Sequence, residues 1–164
     1  MAVKKSSKKS KQKLPLIGWR EWVTLPGLGL PAVKAKIDTG ARTSSLHAYH
    51  IEPFKLKGAN WVRFCVHPVQ RRNDIVEVCE AEVVDRRHVT DSGGHKELRY
   101  VVATPLRMGK DEWRIELTLT NRDPMQFRML LGRQALRGHL MIDPKRSFLM
   151  RKLSAVDIIK LYES

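Results

Sequence analysis

The sequence has little of what staples or anchors a small protein. It has 2 cysteines in 164 residues. These are Cys65 and Cys79, without the C-x-x-C spacing of a redox or zinc pair and in apolar, strand-like contexts, which favours free thiols over a disulfide. Two buried, reduced thiols are expected, and with them a cytoplasmic location. No apolar run approaches the roughly 20 residues of a membrane span. Nor does one follow the basic start, as a secretory signal requires. A soluble protein with no membrane partner is the expectation. No internal repeat points to a solenoid. No G-x-x-x-x-G-K-[ST] loop supports ATP binding, and no H-E-x-x-H supports a zinc hydrolase. His47 and His50 are the only close histidines, with no Cys pair and no helix to aim them at a common point, so no metal and no cofactor is expected.

Acidic residues are scarce as well: 17 Asp plus Glu stand against 31 Lys plus Arg, a formal charge of +14. Such a chain attracts polyanions, either nucleic acid or acidic protein segments. The first 13 residues carry six lysines and three serines and almost nothing apolar, too little to bury and hold an ordered shape. Residues 1–13 therefore read as a basic tail and 14–164 as one folded domain, long enough for a core of its own.

What is present is a series of short β-type runs between turn signals: Ile17 to Leu25, Ala32 to Ile37, Ser45 to Tyr49, Asn60 to His67, Ile75 to Val84, Leu98 to Leu106, Trp113 to Thr120 and Phe127 to Leu131. The domain is mainly β. In Trp113 to Thr120 the apolar residues Trp113, Ile115, Leu117 and Leu119 alternate with polar ones, the mark of one buried face. Thr90 to His95 and Met108 to Glu112 read as hairpin turns. Helices are expected only over Arg133 to Leu136, after Gly132, and over Leu153 to Tyr162, where Ser154 can cap.

Asp38-Thr39-Gly40 follows the alternating Val33, Ala35 and Ile37, so Asp38 falls where a strand turns into a loop. Gly40 permits close backbone approach there and Thr39 can hydrogen-bond locally. A D-T-G triplet alone is a common turn. Here it is followed by Ala41 and the cluster Thr43-Ser44-Ser45, then by a hairpin tip Ser92-Gly93-Gly94, and later by Met129-Leu130-Leu131-Gly132-Arg133 before a short helix. In this order the features resemble a retropepsin, the single-lobe aspartic peptidase that works as a homodimer.

More narrowly, Lys36 to Ala48 together with Leu130 to Gly138 resembles a bacterial group labelled "ATP-dependent zinc protease", whose members are associated with glutamate ligases that extend a ribosomal protein. The resemblance spans about Ala32 to Phe148. It implies a closed β-barrel lobe with one short helix and a C-terminal helix. It implies Asp38 as the catalytic carboxylate, supported by Thr39, Gly40 and Ala41. Ser92, Gly93 and Gly94 would form a flap, and Leu131, Gly132 and Arg133 a structural motif beneath the active loop. Thr39 would lock the loops of two subunits. Arg42 departs from viral relatives, which carry an acidic residue there, and the flap tip is short and polar.

Peptide hydrolysis of this type needs two carboxylates sharing one proton, one activating water and the other protonating the carbonyl oxygen. With one such Asp per chain, a C2 homodimer is the economical way to make the pair. Asp91-Ser92-Gly93 is no second copy, since it sits at the hairpin tip. The leading expectation is an aspartic endopeptidase acting on an acidic protein or peptide, in the narrowest case an oligoglutamate extension on a ribosomal protein. A basic RNA- or ribosome-binding module is the alternative, although no RNP-like aromatic strand or zinc knuckle accompanies it. A third reading is a catalytically weak barrel used for assembly.

Overall fold

The computed structural model describes residues 13–91, 93–121 and 126–163. The basic tail, apart from Lys13, and Ser92, expected in a flap, lie outside that description. The chain is mainly β and closes into a barrel of 6 strands.

The strands run β1 (Leu16–Ile17), β2 (Arg20–Leu25), β3 (Leu30–Ile37), β4 (Ser44–His47), β5 (Tyr49–Leu56), β6 (Ala59–Val66), β7 (Glu77–Thr90), β8 (Lys96–Met108), β9 (Asp111–Thr120), β10 (Met129–Leu131) and β11 (Met141–Ile142). Two helices, α1 (Arg133–Leu136) and α2 (Ala155–Glu163), come late in the chain. The barrel order is β2-β3-β10-β4-β9-β8, closed by the pairing of Thr24 with Arg107.

The late strand β10 is inserted between β3 and β4. It runs parallel to β3, with Leu130 opposite Lys36 and Leu131 opposite Ile37, and antiparallel to β4. The loop from Asp38 to Thr43 must therefore pass over the end of β10. Alternation explains the barrel filling: Val33, Ala35 and Ile37 of β3, Leu46 of β4, Met129 and Leu131 of β10, and Ile115, Leu117 and Leu119 of β9 all point into one buried cluster, as period-2 side chains on a curved sheet must. The hairpin β7–β8 projects from the barrel, and β6 and β5 extend the sheet beyond β7.

Several boundaries differ from the sequence expectation. The run Ile17 to Leu25 breaks at Gly18, where a Cβ would stand 2.1 Å from the Arg146 carbonyl oxygen. Only glycine lets the two segments cross so closely. The run Ser45 to Tyr49 ends at His47. A separate edge strand, β5, begins at Tyr49 and tolerates Pro53 because one side of it is unpaired.

Strand β7 starts at Glu77 rather than Ile75 and runs past Val84 to Thr90, through a register shift between Val83 and Asp85. Strand β10 starts at Met129 rather than Phe127. The last strand, β11, is only two residues long and pairs in parallel with β1. Helix α2 begins behind a reciprocal cap: Asp157 N donates to Ser154 Oγ (3.1 Å) and Ser154 N to Asp157 Oδ2 (2.9 Å). Both cysteines are free, but only Cys79 is buried, because Cys65 lies on the outer face of β6 and is half-exposed. No helix among the described residues is long and apolar enough to cross a membrane.

Candidate active site

The turn after β3 holds Asp38 by its backbone and by its side chain. Asp38 N donates to the Leu131 carbonyl of β10 (2.8 Å), so the parallel pairing of β3 with β10 continues to the start of the loop. The Asp38 carboxylate then folds over its own turn, and Oδ1 accepts from Gly40 N (3.1 Å) and Ala41 N (3.3 Å). The second oxygen, Oδ2, has no hydrogen bond to the described residues, and the side chain is half-exposed. A Cβ on Gly40 would lie 3.3 Å from Asp38 Oδ1. The glycine thus keeps the carboxylate approachable. This arrangement fixes a carboxylate with one oxygen oriented and one available, which acid–base work on water requires.

Beneath the loop lies the second motif. Gly132 N donates to Ser44 Oγ (3.0 Å). A Cβ on Gly132 would meet the Thr43 carbonyl oxygen at 2.4 Å and that of Ala41 at 2.9 Å. Helix α1 starts there, and its first free N–H groups find acceptors on the loop: Arg133 N donates to Ala41 O (2.8 Å) and Gln134 N to Arg42 O (3.2 Å). The Arg133 guanidinium reaches over the loop, its Nη1 donating to the carbonyls of Thr39 (3.0 Å) and Gly40 (3.1 Å). Every peptide from Thr39 to Thr43 is thereby in contact with Gly132, Arg133 or Gln134. Arg42 and the Thr39 side chain face outward.

The tip of the β7–β8 hairpin holds Gly93 and Gly94, two of the residues expected to form a flap. Asp91 organises its tip: Oδ1 accepts from Gly93 N and His95 N, each at 2.9 Å, and Gly94 N donates to Asp91 O (3.0 Å). Gly94 takes φ +84°, a left-handed conformation that favours glycine. Lower down, Arg87 bridges Asp85 (2.8 Å) and Glu116 (3.2 Å). Its hydrogen bond holds the Asp85 carboxyl below the usual carboxylate range.

Between the base of the β7–β8 hairpin and the loop side of the barrel runs a groove of ≈ 560 Å³, lined in part by Thr43, Val84, Arg87, Arg114, Gln134 and Arg137. A smaller groove of ≈ 370 Å³ by Phe54, Trp61 and Tyr100 lies on the sheet extension and shares no residue with the Asp38 loop. Arg99 is buried, with Nε donating to Glu97 (3.0 Å) and Nη1 to Thr118 Oγ1 (3.3 Å). Among the described residues no three His, Cys, Asp or Glu side chains gather as a metal ion would need.

Some contributors were not legible in advance. Ser44 was noted only as part of a Thr/Ser cluster, yet its hydroxyl joins β4 to Gly132. Glu21 is fully buried and accepts from Gly18 N (2.7 Å), Leu149 N (2.8 Å) and Met150 N (3.1 Å). It ties the entry to β2 to the chain beyond β11. A signal existed, since Glu21 is in phase with the inward-facing Val23 and Leu25.

A closed barrel with a strand-end D-T-G loop, a late strand inserted beside it and a Gly-Arg start to a short helix defines a retropepsin-like aspartic peptidase lobe. The chain belongs to the RimB-like family, described as retropepsin-like aspartic endopeptidase RimB, whose family model matches residues 16–153. Among curated proteins it is similar to a protein named probable alpha-L-glutamate ligase from Shewanella pealeana, at 48% identity over 147 residues, which is 90% of this chain and 32% of that protein. A protein of the same name from Parasynechococcus marenigrum is 46% identical over the same share. The chain thus spans about a third of the length of these relatives. Among solved structures it is similar to a Legionella pneumophila protein of unknown function, with TM-score 0.68 and 30% identity, covering 84% of this chain and 98% of that one.

Proposed function

We propose that this chain is an aspartic endopeptidase of the cytoplasm, active as a homodimer, that hydrolyses peptide bonds in an acidic protein segment. The observation that carries this reading is the Asp38 carboxylate, oriented through Oδ1 by Gly40 and Ala41 and open at Oδ2. A second Asp38 from another copy completes a pair in which one carboxylate takes a proton from water while the other donates to the scissile carbonyl. Two carboxylates that close cannot both ionise, so the pair shares a proton and titrates as a unit.

The acidic substrate is supported by the charge of +14 and by the arginines along the groove at the base of the β7–β8 hairpin. It is supported also by the relatives' name. An alpha-L-glutamate ligase leaves glutamate chains, and a peptidase lobe similar to a third of such proteins fits a partner step that shortens them, for instance on a ribosomal protein. The ligase activity itself is not proposed for this chain.

The test incubates wild type and Asp38→Asn with a glutamate-tailed protein and with casein near pH 6, following products by mass spectrometry. Wild type is expected to cleave the tailed protein, with a loss of ~10³-fold or more in the variant and inhibition by a statine-type mimic. Equal cleavage by the two proteins sinks the reading. Absence of cleavage by both, with salt-sensitive RNA binding that survives the substitution, favours the basic binding module instead.

A further inference from the structure

Outside the Asp38 loop, one cation is held in place on three sides and has no counter-ion among the described residues. The Arg20 guanidinium is sandwiched between the rings of Trp19 (4.7 Å) and Phe148 (4.9 Å), and its Nε donates to Ser147 Oγ (3.2 Å). Neither Nη group has an acceptor among the described residues. The neighbouring acids are engaged elsewhere: Glu21 is turned inward onto three backbone N–H groups, and Asp143 lies 3.7 Å from Arg146. An immobilised guanidinium with its fork unoccupied is a preformed receptor for a carboxylate, because the rotamer entropy of the arginine is already lost.

Register places this receptor beside the candidate catalytic residue. Arg20 lies opposite Lys36 on β3, and Ile37 N donates to Trp19 O (2.8 Å). Ala35 and Ile37 point into the barrel. Lys34, Lys36 and Asp38 therefore share the outward parity, about 7 Å apart along the strand. That spacing matches same-side side chains of an extended peptide.

Lys36 is exposed and makes no ion pair among the described residues. On its other side is Leu130 of β10, outward and half-buried, a surface for methylene groups. Lys34 lies over Trp22 (5.5 Å). Its ammonium is pushed below the ordinary lysine value, first by burial and then by the charges of Arg20 and Arg71. Among the described residues no ion pair offsets the mutual repulsion of these cations.

We propose that Arg20 and Lys36, backed by Lys34, form a carboxylate-recognising subsite that receives acidic side chains of a peptide lying across Asp38. Its placement next to the scissile bond rests on the peptidase reading; the receptor itself does not. An acidic peptide fits better than RNA because the aromatic rings at the site are already covered: Trp22 is buried, and Trp19 and Phe148 hold Arg20 between them. Arg20 thereby occupies a face of both half-exposed rings that a base would otherwise stack on.

The test uses the full-length Asp38→Asn protein, in which binding is measured whether or not the wild type cleaves. Fluorescence anisotropy compares labelled hexaglutamate, hexaglutamine and an RNA hexamer. Arg20→Lys, Lys36→Gln and the distant surface change Lys55→Gln are each added, with folding checked by circular dichroism. Hexaglutamate is expected to bind more tightly than hexaglutamine. Arg20→Lys and Lys36→Gln should each weaken it about five- to tenfold, the first with charge retained but the fork lost. Lys55→Gln should change it less than about twofold.

Equal weakening by all three variants overturns the subsite in favour of bulk charge, and tighter RNA binding lost with the same residues overturns it in favour of nucleic acid. In proteins with Asp38 intact, a kcat/KM loss confined to the glutamate peptide and spared on its glutamine analogue locates the subsite in cleavage. Intact hexaglutamate binding without cleavage by wild type ends the peptidase reading and leaves the receptor standing.

Discussion

Gly132 shows how much of the active loop depends on an atom that is missing. Its φ of −90° is available to any residue, so its necessity is steric rather than conformational. A methyl group there would have to occupy space 2.4 Å from one carbonyl oxygen and 2.9 Å from another, both of them backbone and both part of the loop that carries Asp38. Gly132→Ala is expected to cost about 3 kcal/mol or more of folding stability, measured by denaturant unfolding, and to lower activity further by displacing the loop. A variant as stable as wild type would mean the loop shifts freely.

The same side chains show what a sequence can disclose. Asp38, Leu131, Gly132 and Arg133 were legible because each lies in a short motif whose order along the chain narrows the options. The acceptors that Arg133 uses were not legible, since they are carbonyls of Thr39 and Gly40 and no side-chain pattern encodes them. Arg20 was hidden for a similar reason: its partners Ser147 and Phe148 lie far along the chain.

Among the elements, strands with one buried face were readable from alternation, and those with unusual faces were not. β5 carries Glu52, Pro53 and Lys55 and has little apolar pattern because it is an edge strand of the sheet extension. The outer part of β7 is charged because it forms the hairpin, away from the core. Helix α2 was found by its cap and apolar residues, but its docking depends on Tyr162, whose hydroxyl donates to the Ala32 carbonyl on β3.

Burial raises the Tyr162 hydroxyl above the ordinary tyrosine value, and burial raises the Cys79 thiol to about 12. Both groups are neutral in the fold, and their folded values lie above the unfolded ones. Their contribution is therefore complete below the unfolded values and is lost as pH rises from there toward the folded ones. Cys79 sets the onset, since an unfolded thiol ionises near pH 8.5 and a tyrosine near pH 10. Thermal melts of the wild type should fall progressively above about pH 8.5. In Cys79→Ala, which starts from a lower stability because of the cavity, the fall should begin near pH 10 instead. An unchanged onset would show that the buried thiol does not control alkaline unfolding.

For the proposed homodimer, the decisive quantity is the number of carboxylates per site. The described residues hold one D-T-G loop, at Asp38, and the sequence holds no other, so on the proposed reading the second carboxylate of the pair comes from another copy of the chain. This has a consequence that does not depend on the substrate's identity. If wild type and Asp38→Asn are mixed, allowed to exchange subunits and assayed at constant total protein, only pairs of two wild-type chains carry both carboxylates. Activity then follows the square of the wild-type fraction, and an equal mixture retains about a quarter of the full rate. A site complete within one chain would retain about a half, because each wild-type chain works regardless of its neighbour. Sedimentation of the same mixtures separates the cases further: a dimer with linear activity would mean that Asp38 acts alone and that pairing serves assembly, whereas a dimer with quadratic activity requires the two loops to meet at one site.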